Sequence, residues 1–139
     1  MRRDNMKIHE DTIYIKMCEK AAEIQELRPI GQDWELGDFC YYKAKYGKVF
    51  GVTGSSNGYD VYIIEHESGE IFLPRQDQLQ AMIELKGHKL TQDLFRIFTN
   101  WIYTHNYKWN LFYGSPEQLW LAFVMNEKYS KTWNGEDWI

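Results

Sequence analysis

His66 stands between two acids in Glu65-His66-Glu67, a grouping that could relay protons or hold a metal. The pattern stops there. No second histidine lies three or four residues away and no HExxH occurs, so any further ligand would come from a distant segment. A solvated hairpin end is the simpler reading of that triplet. His9 lies in the N-terminal tail, His88 in a turn and His105 at a helix end, where positive charge is favoured. None has a Ser or Cys partner close in sequence, so no nucleophilic triad is visible. Cys18 and Cys40 stand 22 residues apart without a CxxC, which fits no zinc pattern and reads as two buried thiols. Gly47, Gly51, Gly54 and Gly58 cluster, but Gly47-Lys48-Val49 leads into a strand rather than a helix. They punctuate hairpins and do not cradle phosphate. No catalytic, cofactor-binding or metal-binding residue is assigned, and the sequence leans away from an enzyme. An enzyme assembled from scattered residues such as His66 and Glu67 is the least favoured reading.

Two other groups of residues point to recognition rather than catalysis. Arg75 stands at the start of a helix, where the dipole repels a cation, so a carboxylate or a bound anion should compensate it. A structural ion pair is the favoured answer, from Asp77 or from a carboxylate of the strand region. Gln76, Gln78 and Gln80 add uncharged hydrogen-bonding groups beside it. Thirteen of the 23 aromatic residues fall between Phe95 and Trp138, with five of the six tryptophans. Tyr107, Trp109, Phe112 and Tyr113 are expected in a helix connection, and Trp133 and Trp138 in a tail. Aromatic side chains in loops anchor interfaces. Only Lys108 lies among them, so a protein contact is favoured over stacked bases. The alternative is a nucleic-acid face on the strands, with Tyr41, Tyr42 and Tyr46 beside Lys43, Lys45, Lys48 and Arg75.

The whole chain bounds these readings. Its 139 residues predict one domain, or a small two-lobed one, able to bury a core without disulfide or metal. A net charge of −4 disfavours non-specific nucleic-acid binding. Residues 34–73 carry three basic and six acidic side chains; residues 74–139 carry seven of each. The N-terminus has charge but no apolar run, so it does not read as a secretory signal. The longest apolar run is seven residues, far short of a membrane span, and a cytoplasmic protein is expected.

These residues need elements to position them. Residues 12–27 read as one amphipathic helix, with Ile13, Met17, Ala21 and Ile24 on its apolar face and Asp11 or Thr12 as cap. Pro29 and Gly31 end it. From 38 to 73 the chain reads as GDFCYYK, KVFGVT, YDVYIIE and EIFLP, separated by turns, of which Asn57-Gly58 is the strongest. The expectation is a four-stranded antiparallel meander, able to curl into a small open barrel of the Tudor-like kind. Residues 74–87 and 91–104 read as two helices, the second turning Leu94, Ile97, Phe98, Trp101 and Ile102 inward. The last helix is the best marked. Ser115 caps it, Pro116 takes the first position and Gln118 completes a capping box. It then runs apolar on every side from Leu119 to Met125, so it should be the central helix or be covered by a partner. The expected fold class is α+β: a helix, the meander, then three helices with the last one central.

YIKMCEKAAEIQEL, a Gly-Asp strand start, FLPRQDQLQAM and SPEQLWLAFVMNEKYSKTW together resemble a group of small proteins encoded in phages and prophages of Gram-positive bacteria. The likeness spans nearly the whole chain and is weak between residues 40 and 65. The group has no assigned activity, so the resemblance carries over no functional residue. It implies a phage-derived accessory protein. The expected partner is another protein or a second copy of the chain as a homodimer; nucleic acid is the alternative, and no membrane contact is expected.

Overall fold

The computed structural model describes residues 11–29, 35, 37–42, 48–51, 70–83, 91–109 and 114–139. The chain divides into two compact units, one holding Met6–Arg75 and the other Gln76–Ile139. Helices and an antiparallel sheet are both present, so the fold is α+β.

In the first unit, α1 (Thr12–Lys20) begins at Asp11, whose carboxylate accepts the Tyr14 N–H at 2.9 Å. The expected continuous helix over 12–27 does not form. Ala21 leaves helical geometry at φ −89°, ψ 80°, and a short α2 (Ala22–Gln25) follows. The break is not a propensity effect, since alanine is the best helix former. It is tertiary. Past the bend, the Gln25 carboxamide reaches the backbone of Phe72, accepting its N–H at 2.8 Å and donating to its carbonyl at 3.0 Å. Tyr14, Met17, Cys18, Ala21 and Ile24 are fully buried on the inner side of these helices.

Three four-residue strands make up the described sheet: β1 (Phe39–Tyr42), β2 (Lys48–Gly51) and β3 (Glu70–Leu73), in the order β2-β1-β3. Cys40 lies opposite Phe50 on one side and Phe72 on the other. In an open meander the first strand lies at an edge, whereas here β1 is central, bonded to both β2 and β3. The strand expected over 59–65 lies outside the described residues. Ile71, Phe72 and Leu73 are all buried, so β3 needs cover on both faces. A place beside β1, packed against α1, provides it.

The second unit is helical. α3 (Gln76–Ala81) buries Leu79; it is shorter than the expected 74–87, of which 84–87 lie outside the described residues. α4 runs from Thr91 to Trp109, beyond the expected end at Thr104, with a kink where His105 takes φ −115°, ψ 15°. Leu94, Phe98 and Trp101 are buried, with Ile97, Ile102 and His105 half-buried beside them, the three-and-four spacing of an inward face.

α5 (Pro116–Tyr129) starts as its sequence demands. Ser115 Oγ accepts the Gln118 N–H at 3.2 Å. The reciprocal half reaches one residue further back than in a standard capping box: Gln118 Oε1 accepts from Gly114 N–H at 2.8 Å. Trp120 to Met125 are six consecutive buried residues, and at about 100° per residue they cover every side of the helix. Both α3 and α4 pack on it. Trp101 Nε1 donates to Asn126 Oδ1 at 3.1 Å, which gives the buried indole its partner. Ser130 ends the helix in the left-handed region at φ 56°, ψ 37°. The expected tail is a closed hairpin. Thr132 and Ile139 exchange both backbone bonds, and Trp133 bridges to Trp138. The turn is held by Asn134, whose Oδ1 accepts from the N–H groups of Glu136 and Asp137 at 2.8 Å each, while Gly135 takes φ +102°.

Candidate functional site

The aromatic residues of α4 and α5 meet as a stack. Phe98 lies flat on Trp120, with ring centroids 3.8 Å apart and planes 6° from parallel. Phe123 meets Phe98 edge-on at 5.2 Å and Trp101 at 5.5 Å. Phe95 meets Trp120 edge-on at 5.9 Å. Phe98, Trp101, Trp120 and Phe123 are buried, but Phe95 is 44% exposed. The stack therefore reaches the surface at one ring. There it forms the wall of an open groove of about 460 Å³, lined by Phe95, Phe98, Leu119 and Trp120 with Gln76, Gly114, Ser115 and Pro116. None of these lining residues carries an ionisable side chain. The described lining offers apolar contact area with uncharged polar groups at its edge.

Among the described residues, one expected at a binding site, Gln76, lines this groove. Gln78 is half-buried in α3. Arg75 is held elsewhere: its Nη1 lies 3.0 Å from Asp38 Oδ1, and Asp38 is buried. Asp38 Oδ2 also accepts the Glu35 N–H at 2.8 Å. Gly37, beside the guanidinium, takes a backbone conformation that favours glycine. It sits at φ +89°, and a Cβ there would stand 3.4 Å from Arg75 Nη1. A carboxylate just before the first strand is thus what compensates Arg75, and its role is structural. Tyr107 and Trp109 fall in the last turns of α4 rather than in a connection, because that helix continues past Thr104. Phe112 and Tyr113 lie outside the described residues. Trp133 is corrected from a tail anchor to a core residue. It is only 3% exposed and packs against Trp138, which is half-buried, at 5.2 Å between rings. Of the alternative face, Tyr41 is half-buried in β1, Tyr42 belongs to the same strand and Lys48 opens β2, while Lys43, Lys45 and Tyr46 lie outside the described residues.

Phe95, Phe98, Leu119 and Trp120 are groove residues that loop-based reasoning misses, because all four sit within helices. A signal exists at Phe95: it is a large apolar residue one position off the inward stripe of α4, next to Leu94.

The other chemistry-bearing residues are quiet. Cys18 and Cys40 are both buried thiols, and burial pushes the Cys18 thiol up, well above the usual thiol range. Among the described residues, no group of three or more His, Cys, Asp or Glu side chains is placed to hold a metal ion. His66 and its acidic neighbours lie outside the described residues. Among the described residues, no helix is long and apolar enough to cross a membrane. Comparison with known protein families, characterised proteins and solved structures finds no match to this chain.

Proposed function

We propose that the protein is a phage-derived cytoplasmic accessory protein that acts by contact with another protein, and that the groove between α4 and α5 receives that partner. The observation that carries this reading is Phe95, 44% exposed on the rim of an otherwise buried aromatic stack. The stack is already packed ring on ring within the chain, so few side chains need ordering on binding. The uncharged lining selects an uncharged apolar side chain, and Gln76 at the edge can hydrogen-bond a neighbouring backbone.

The test compares the unaltered chain with Phe95→Asp as baits in a Gram-positive host lysate, with and without nuclease. Phe95→Asp places a charge on a partly exposed position at the rim, and far-UV circular dichroism should confirm that the helices are kept. A protein band that survives nuclease and is lost with Phe95→Asp supports the reading. A band held equally by both baits removes the groove from it. Signal abolished by nuclease overturns it in favour of a nucleic-acid contact.

A further inference from the structure

Apart from the groove, the outer edge of β3 carries an unusual contact. In the order β2-β1-β3, this strand has β1 on one side and, among the described residues, no strand on the other. Antiparallel residues alternate between bonding the neighbouring strand and pointing away from it. Phe72 points away, since its N–H and its carbonyl are both engaged by Gln25. A carboxamide is chemically a peptide group. Gln25 therefore takes the place that one residue of an additional strand would occupy. Two residues on, the outward carbonyl of Pro74 is taken by the Tyr14 hydroxyl, and Pro74 has no N–H to offer. Gln25 is itself held in place, because Nε2 also donates to the Cys18 carbonyl at 3.0 Å, beside the helix break at Ala21. Exposed strand edges recruit other strands, and proteins block them by specific devices.

We infer that Gln25 is a lock on the β3 edge, which keeps β3 from pairing with β3 of a second copy of the chain. The second copy is the natural occupant. Two identical edges pair antiparallel about a two-fold axis, and each then satisfies the other. The lock is reversible, since opening it breaks three hydrogen bonds and no covalent one. It also ties edge protection to the bend at Ala21, because an unbroken helix would not present Gln25 in this way.

The test is Gln25→Leu in the full chain, which keeps an apolar stem and removes the three side-chain hydrogen bonds. Light scattering across a concentration series should show the variant moving to the mass of a dimer at concentrations where the unaltered chain does not. Amide exchange at Phe72 should quicken by about tenfold or more, with Ile71 much less affected. Adding Glu70→Pro, which removes a further outward N–H without touching the β1 ladder, should return Gln25→Leu to a monomer. A folded Gln25→Leu that shows no added association and unchanged Phe72 exchange overturns the inference. If Gln25→Leu does not fold, exchange in the unaltered chain decides: Phe72 as protected as Ile71 supports the lock, and Phe72 exchanging like an open edge amide overturns it.

Discussion

Trp120→Ala is the perturbation whose cost follows most directly from the geometry. The indole is 3% exposed, lies flat against Phe98 and meets Phe95 and Phe123 edge-on. A buried aromatic side chain removes roughly 200 Å² from water, and at about 25 cal/mol per Å² this is worth about 5 kcal/mol. Three ring pairs add about 0.5–1.5 kcal/mol each. Two effects reduce the sum: the unfolded chain already shields part of that surface, and Phe98 can relax into the vacated space. The net expectation is a loss of about 3–5 kcal/mol, a large part of the stability of a small protein. Urea titration followed by far-UV circular dichroism measures it. Phe95→Ala should cost clearly less, because that ring already meets solvent. A loss below about 0.5 kcal/mol for Trp120→Ala, the level of an ordinary surface substitution, would refute the stack as the core of the helical unit.

Three further outcomes follow from single contacts. Asp38→Ala removes an ion-pair partner of Arg75 and the acceptor for Glu35 N–H; it should cost about 2 kcal/mol in urea titration, since Arg75 is part-solvated. Ser130→Gly should raise the melting temperature, by the equivalent of up to about 1 kcal/mol, because a left-handed helix end strains any residue with a Cβ. Cys18 should resist alkylation in the folded chain and react after urea is added, read by mass spectrometry. Its raised thiol also sets a sign. The folded state holds that proton at pH values where the unfolded chain has released it, so this contribution is complete below the usual thiol range and is lost as pH rises above it.

Local chemistry was legible in the sequence, and long-range chemistry was not. Ser115, Pro116 and Gln118 announce the start of α5 within four residues, and the helix begins there. The three-and-four spacing of Leu94, Ile97, Phe98, Trp101 and Ile102 marks the inward face of α4, and that face is buried or half-buried. The break at Ala21 has no local sign, because its cause is Gln25 bonding a strand 47 residues away. Arg75 announces the need for a partner but not its identity, since Asp38 lies 37 residues back. Phe95 is a rim residue only once α4 and α5 are packed, and no periodicity measures an opening between two helices. The closing hairpin could have been read. Asn134-Gly135 is the same turn signal as Asn57-Gly58, with a tryptophan on either flank, but six residues at a chain end pass easily for a tail.

That hairpin gives the molecule an optical gauge. Trp133 and Trp138 hold their rings 5.2 Å apart at 53°, close and skewed enough for their electronic transitions to couple. Coupled indoles give a paired positive and negative band in circular dichroism that neither ring gives alone. The band vanishes when the rings separate, whatever the rest of the chain is doing. Fraying of the last eight residues can therefore be followed by light, without a label, while the helices they close remain folded.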